Sequence, residues 1–321
     1  MKAIVYSRYG SPDVLQLKEV DKPVPGDHDV LVRVYASSVN FGNMALVRGK
    51  PYLSRLGTGF LLPKYRIPGG DLSGRVEAVG RKTKQFHPGD EVYGDISDSG
   101  FGSWAEYVCA PDKLLAPKPA GLGFAEAAAV PQAAMVALQG LRDKGVIRAG
   151  QKVLINGASG GIGTFAVQLA KVFGAEVTGV CSTRNLELIR SIGADHTIDY
   201  TKEDFSRNAG RYDLILATAG FVPILNYRRA LRPGGIYVSA GGSMKQVMQG
   251  MMLGPLFSGH GKKMTFLYQR PNREDLILIG DLIESGRIRP VIDRQFSLEE
   301  SPLALRYYAR GHTVGKVVIN I

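Results

Sequence analysis

The stretch VLINGASGGIGTFAVQLAKVFGAEVTGVC, residues 153–181, constrains the fold more than any other part of the chain. VLIN is too short for a helix and reads as a buried strand, the segment from Gly163 to about Phe173 reads as a helix, and EVTGVC reads as a second strand. Gly157, Gly160 and Gly163 stand between the first strand and the helix. Gly157 suits a tight turn, Gly160 with Gly161 lets backbone approach a pyrophosphate, and Gly163 lets helix and strand pack closely. The loop formed by Gly157, Ala158, Ser159, Gly160, Gly161, Ile162 and Gly163 then aims its free amides at phosphate oxygens. Glycine turns alone are common; the strand before, the helix after and the second strand at the right distance give this one its meaning.

The end of the second strand selects the cofactor. A chain that prefers NADH carries Asp or Glu there, to bind the ribose 2′-hydroxyl. Here the sequence reads Cys181, Ser182, Thr183, Arg184, Asn185, with no acid before Glu187. Ser182 can donate a hydrogen bond and Arg184 can form a planar, charge-assisted pair with a 2′-phosphate, which favours NADPH. The competing roles are a helix cap for Ser182 and Thr183 and a solvated charge for Arg184.

At 321 residues the chain suggests two domains. Up to about Ala120 the signals are strand and turn: KAIVY, VLQLKEV, DVLVRVYASSV, GRVEAVG, DEVYGD and AEYVCA, divided by Gly, Pro and Asp. FAEAAAVPQAAMVALQGLRDKG then reads as a helix, and the strands VLIN, EVTGVC, HTIDY, YDLILAT, GGIYVSA and KMTFLY alternate with helical segments such as NLELIRSIG. That alternation predicts an α/β fold with a parallel, doubly wound sheet. The last segment returns to strand, helix, strand, and so could complete the first domain. The expected boundaries are 1–120 plus 271–321 for the β-rich domain and 121–270 for the dinucleotide domain.

Two cysteines, Cys109 and Cys181, allow neither a disulfide framework nor a four-thiolate zinc lobe. The opening MKAIVYSRYG alternates like a strand and lacks the apolar centre of a signal peptide, so a cytoplasmic protein is expected. The net charge of +11 comes from scattered basic residues without an RNA-binding signature. It reads as a basic surface that attracts phosphorylated cofactors, with no specific nucleic acid as partner and no transmembrane segment.

The stretches SSVN (37–40), PGGDLSGRVEAVG (68–80), FHPGDEVYG (86–94), GSWAEYV (102–108), GASGGIG (157–163) and GKVVI (315–319) together resemble the medium-chain dehydrogenase/reductase superfamily. The branch resembled is that of the zinc-independent quinone oxidoreductases and enone reductases. The resemblance covers essentially the whole chain. It implies a Rossmann doubly wound parallel sheet inserted in a GroES-like β-rich domain built from both chain ends, a cleft where nicotinamide meets substrate, and a homodimer. Zinc-dependent relatives carry a Cys near Ser38 or Asn40 and a His-Glu pair within the motif that here reads Gly69, Gly70, Asp71. Those ligands are missing, so no metal is expected.

Without a Lewis acid, oxidising an unactivated alcohol is difficult, whereas a quinone or conjugated enone is already electrophilic. The implied reaction is hydride transfer from NADPH to a quinone or to the β-carbon of an enone, followed by protonation from solvent or a hydroxyl. The resemblance places Asn40 beside the nicotinamide, with a turn-forming Asn as the alternative. It offers Tyr52 as a hydroxyl at the cleft, Tyr200 as a cover for the 2′-phosphate, and Lys316 as a cofactor-side lysine. Edge packing for Tyr200 and a solvated charge for Lys316 compete with those roles. Asn43, where relatives often have Asp, and Val136, where Thr is frequent, depart from the pattern. Met244, Met248, Met251 and Met252 suit an adaptable pocket, a subunit contact or ordinary core. Two rival functions stand beside this reading: a metal-free alcohol dehydrogenase or carbonyl reductase, and an NADPH-binding protein with a non-catalytic role on RNA or a membrane surface.

Overall fold

The computed structural model describes residues 1–52, 55–207, 209–259 and 261–321. The chain forms two compact units, one of residues 1–132, 270–286 and 290–321 and the other of residues 133–269 and 287–289. The first opens with strands β1 (Lys2–Val5), β2 (Gln16–Glu19) and β3 (Asp29–Val39) and helices α1 (Phe41–Arg48) and α2 (Arg55–Thr58). Strands β4 (Asp71–Val79), β5 (Glu91–Asp95), β6 (Tyr107–Pro111) and β7 (Leu115–Pro117) and helix α3 (Phe124–Ala128) follow. Helix α4 (Pro131–Gln139) leads into the second unit. There β8 (Lys152–Asn156), α5 (Gly161–Val172), β9 (Glu176–Cys181), α6 (Leu186–Ser191), β10 (His196–Asp199) and β11 (Tyr212–Ala217) alternate. The unit continues through α7 (Ile224–Ala230), β12 (Leu231–Ser239), α8 (Met244–Phe257) and β13 (Lys263–Phe266). The chain returns to the first unit for α9 (Arg273–Glu284), β14 (Ile292–Ser297), α10 (Ser301–Ala309) and β15 (Lys316–Asn320).

In the first unit the strands run in the order β14-β15-β3-β4-β5-β7, with β6 also paired to β3. The C-terminal segment therefore does complete this sheet. Strand β15 pairs antiparallel with β3, Val317 opposite Val39 and Val318 opposite Ser38, while Ser37 of β3 faces Leu72 of β4. This register brings the first residues of β4 and β15 and the last of β3 to one point. Val30, Val32 and Val34 pack with Leu72, Val76, Phe86 and Val92 in one core, and Val39, Leu46, Trp104, Leu305 and Ile319 belong to another. Alternation along DVLVRVYASSV places these valines on one face, as a period of two requires.

The second unit is a parallel sheet in the order β10-β9-β8-β11-β12-β13. The order reverses between β8 and β11, which is the doubly wound pattern of a Rossmann domain, with its ligand edge at the C-terminal ends of the strands. Tyr212 to Ala217 are all buried, as expected for a strand covered on both faces. Tyr227 and Tyr237, with ring centroids 4.5 Å apart, pack with Leu154, Ile215 and Met264.

Two expectations are corrected. The helix read over 124–145 is broken into α3 and α4, because Pro131 lacks an N–H and disfavours helical backbone at Val130; it starts a helix instead. The core role offered for the methionines of α8 does not hold. Met244 and Met248 are half-buried and Met251 and Met252 exposed, whereas Gln246, Gly250 and Gly254 are buried. A Cβ on Gly250 would stand 2.5 Å from that of Ser239, so close approach to β12 excludes a larger side chain there.

Candidate functional site

Each unit presents one polar constellation. In the second it lies where β8, β9 and β10 end. Gly157 turns out of β8 at φ +87°, and a side chain there would stand 2.3 Å from the Ala219 Cβ. The Gly157 and Ala158 amides donate to the Val180 carbonyl at 3.1 and 3.0 Å, tying the turn to β9. A Cβ on Gly163 would meet the Gly157 carbonyl oxygen at 2.0 Å, so this glycine is what lets α5 start against the strand. At Gly160 a Cβ would make only an ordinary contact, 3.5 Å from the Gly157 carbonyl oxygen. The first helical hydrogen bond of α5 runs from Thr164 N to Gly160 O, so Gly161, Ile162 and Gly163 supply amides without a carbonyl one turn back. Three free amides at a helix N-terminus fit a pyrophosphate.

Ser159 and Ser182 are brought together by a residue that the sequence reading did not single out. The buried Asn185 donates its amide to Ser159 Oγ at 2.9 Å and to Ser182 Oγ at 3.3 Å. Ser182 precedes a short 3₁₀ turn, Thr183–Asn185, and its side chain makes no capping bond to it. The Thr183 hydroxyl is also not a cap, since it donates to Asp199 Oδ2 at 2.5 Å. Arg184 is exposed on this turn, and Tyr200, also exposed, follows β10 with its amide on the Cys181 carbonyl at 3.1 Å. Asp199 is the acid of this edge. The hydroxyls of Thr183 and then Thr201 hold its carboxyl down at about 2, and Lys202 stands 3.7 Å away. Burial, and then Asp199, push the Cys181 thiol up to about 11, so it is a protonated thiol near neutrality.

In the first unit the register described above gathers Ser38, Asn40, Asp71 and Lys316. Asp71 is completely buried. Its Oδ2 accepts from Ser38 Oγ at 2.5 Å, Asn40 Nδ2 at 2.8 Å and Lys316 Nζ at 3.2 Å. Its Oδ1 accepts from the Gln132 amide at 2.9 Å. Lys316 also donates to Asn40 Oδ1 at 2.5 Å. The Asn40 amide is thereby held from both ends, oxygen toward the ammonium and nitrogen toward the carboxylate. The Asn40 backbone amide donates to Asn43 Oδ1 at 2.7 Å, an acceptor that an Asp in that place would also supply. Lys316 is 3% exposed, which overturns its reading as a solvated charge. Asn40 is more than a turn residue. Tyr52 is exposed and stacks with cations, Arg55 at 4.9 Å and Lys50 at 5.9 Å from its ring centre. Asp71 was visible in the sequence only as the place of a missing zinc ligand; its partners lie 31, 33 and 245 positions away, beyond any local pattern.

A dinucleotide edge on the second unit and a β-rich first unit closed by the C-terminal strand define a nicotinamide-dependent dehydrogenase or reductase. The comparisons agree. Residues 26–120 match a family described as "Alcohol dehydrogenase GroES-like domain" and residues 192–319 one described as "Zinc-binding dehydrogenase". The chain is 38% identical to a 2-methylene-furan-3-one reductase of Solanum lycopersicum, over 100% of this chain and 79% of that protein. It is 34% identical to an NADPH-dependent alkenal/one oxidoreductase of Arabidopsis thaliana, chloroplastic, over 99% of this chain and 79% of that protein. The solved quinone oxidoreductase from Coxiella burnetii superposes with a TM-score of 0.90 at 30% identity, covering 100% of this chain and 99% of that one. The chain belongs to the medium-chain dehydrogenase/reductase superfamily.

Zinc, which one family description implies, does not suit this donor set. The one carboxylate among Ser38, Asn40 and Asp71 is filled by four protein donors, and a metal there would face the Lys316 ammonium. Among the described residues no group of three or more His, Cys, Asp or Glu could hold a metal ion. None of the described helices is long and apolar enough to cross a membrane.

Asp71→Asn leaves the buried Lys316 without its counter-charge and is expected to cost about 3–5 kcal/mol in urea unfolding. The double variant Asp71→Asn/Lys316→Met recovers part of that loss. A single variant as stable as the parent contradicts the pairing.

Proposed function

We propose that this protein is a metal-independent, NADPH-dependent reductase of quinones or α,β-unsaturated carbonyl compounds. The observation that carries the reading is the buried cluster of Ser38, Asn40, Asp71 and Lys316. It offers an oriented amide and a neutralised carboxylate where a Lewis acid would otherwise be required, and so favours acceptors that are electrophilic on their own. The similarity to an NADPH-dependent alkenal/one oxidoreductase and to a quinone oxidoreductase supports the same class.

NADPH, when bound, supplies a hydride. In this reading the amides of the 157–163 loop bind the pyrophosphate, while Ser182 and Arg184 donate to the 2′-phosphate with Tyr200 covering it. An ionised Asp199 on the same edge opposes a second anion, and its two threonine donors and Lys202 temper that repulsion. Asn40 orients nicotinamide or acceptor through the amide valences left over from Asp71 and Lys316. Lys316, turned into the cluster, acts on the cofactor side through Asn40. The enolate from a conjugated enone takes its proton at the α-carbon from solvent or from the Tyr52 hydroxyl.

The expected result with chelator-treated protein is loss of reduced-nicotinamide absorbance with quinones or enones, faster with NADPH than NADH. Arg184→Ala should raise the KM for NADPH by about tenfold and leave that for NADH nearly unchanged. Activity confined to alcohols or aldehydes, or lost with the chelator, overturns the reading. Tight NADPH binding without any turnover moves it to the binding-protein alternative.

A homodimer belongs to the same proposal. Among the described residues, β13 ends the sheet of the second unit with one side unpaired, and Met251, Met252 and Leu256 are exposed on the neighbouring α8. Sedimentation velocity should give a species of twice the chain mass; a monomer at micromolar concentration discards it.

A further inference from the structure

One surface feature of the first unit lies outside the site residues named above. Between α2 and Pro63 the chain makes a tight loop whose neck is closed by a hydrogen bond from Lys64 N to Thr58 O at 2.8 Å. The Tyr9 hydroxyl braces the neck, 2.9 Å from Thr58 O and 2.6 Å from Gly59 O. Gly59, at φ +111°, is required: a Cβ there would stand 2.1 Å from the Leu62 carbonyl oxygen. Pro63, which follows the apex, is buried. The result is a pinned apex of three consecutive large apolar residues turned to solvent, Phe60 at 70%, Leu61 at 80% and Leu62 at 62% exposure, with Leu56 at 73% beside them on α2.

A loop free to collapse could hide such side chains, whereas one braced at its neck keeps them exposed, and contiguous exposed apolar surface marks an interaction site. The basic residues near it in the chain point to the partner. From residue 30 to residue 70 the chain has six basic residues, Arg33, Arg48, Lys50, Arg55, Lys64 and Arg66, and no Asp or Glu. Of these, Lys64 and Arg66 directly follow the apex and are exposed, as are Arg48 and Lys50. A protein partner needs a shaped surface of about 800 Å² on each side for a stable complex, more than three side chains on a narrow loop provide. A lipid bilayer makes no such demand of shape: apolar tips enter the boundary between headgroups and acyl chains while cations at their base meet lipid phosphates.

We infer that the 60–62 apex docks the protein peripherally on an anionic lipid bilayer, with Lys64 and Arg66 at the headgroup phosphates. The inference stands on this loop alone and does not require the reductase reading.

Co-sedimentation of the full chain with phosphatidylcholine vesicles, with and without phosphatidylglycerol, tests it. Binding is expected only with phosphatidylglycerol and weakens as salt rises. Leu61→Asp/Leu62→Asp should lower the partition by about tenfold or more with the melting temperature unchanged. Lys64→Ala/Arg66→Ala should lower it on the order of tenfold and flatten its salt dependence. No binding by the parent chain overturns the inference. Equal binding by the Leu61→Asp/Leu62→Asp variant does so too, since the general positive charge then explains the association. If that variant instead raises the KM for a small water-soluble quinone and binds vesicles like the parent, the apex borders the acceptor site and the inference fails.

Discussion

A carboxylate removed from water must have its charge answered at close range, and Asp71 meets that condition with four donors from three separate parts of the chain. Ser38 and Asn40 come from the end of β3, Lys316 from the start of β15, and the Gln132 amide from the start of α4. The first unit therefore cannot assemble its central strands in another register without leaving a charge stranded. Strand β15 reaches this sheet only after the chain has built the whole second unit, so the Lys316–Asp71 pair also ties the two ends of the sequence together. Orientation follows from the same bonds. An amide side chain has two chemically different ends, and Asn40 has one facing an ammonium and the other facing a carboxylate.

The phosphate edge is governed by backbone geometry and by charge. Gly157 and Gly163 are required by contacts of 2.3 and 2.0 Å that no Cβ could occupy. Asn185 then links this loop to the end of β9, so the serines of two neighbouring strands face one region. Helix α5 contributes its free amides because its first turn has no carbonyl partners, a property of any helix start that the glycine turn leaves open to a ligand.

How much of this was legible in the sequence depends on how local each cause is. The strand, glycine turn and helix at 153–173 were readable because turn, packing and amide presentation are encoded within a few residues. The C-terminal return to the first sheet was readable from the strand, helix, strand pattern. The Asp71 cluster was not readable, because its members meet only through β-sheet register between strands far apart in the chain. The ordinary-core reading of the α8 methionines fails for a similar reason: their spacing fits a buried helix face, but the helix buries Gly250 against β12 and Gly254 against β13, leaving Met244 and Met248 half-buried and Met251 and Met252 exposed. Asp199 escaped notice because the rule looks for an acid on β9, while β10 ends beside it in the sheet.

The central claim is that an oriented amide and a self-contained ion pair serve a hydride transfer to an acceptor already activated by conjugation. Isotope transfer tests it most directly. NADPH deuterated at either face of the nicotinamide C4 would be incubated with an alkyl vinyl ketone and the protein, and the product analysed by mass spectrometry and NMR. The account predicts a saturated ketone with one deuterium on the β-carbon from one face only, and the new α-hydrogen drawn from solvent. Deuterium on the carbonyl carbon, with an allylic alcohol as product, would contradict it.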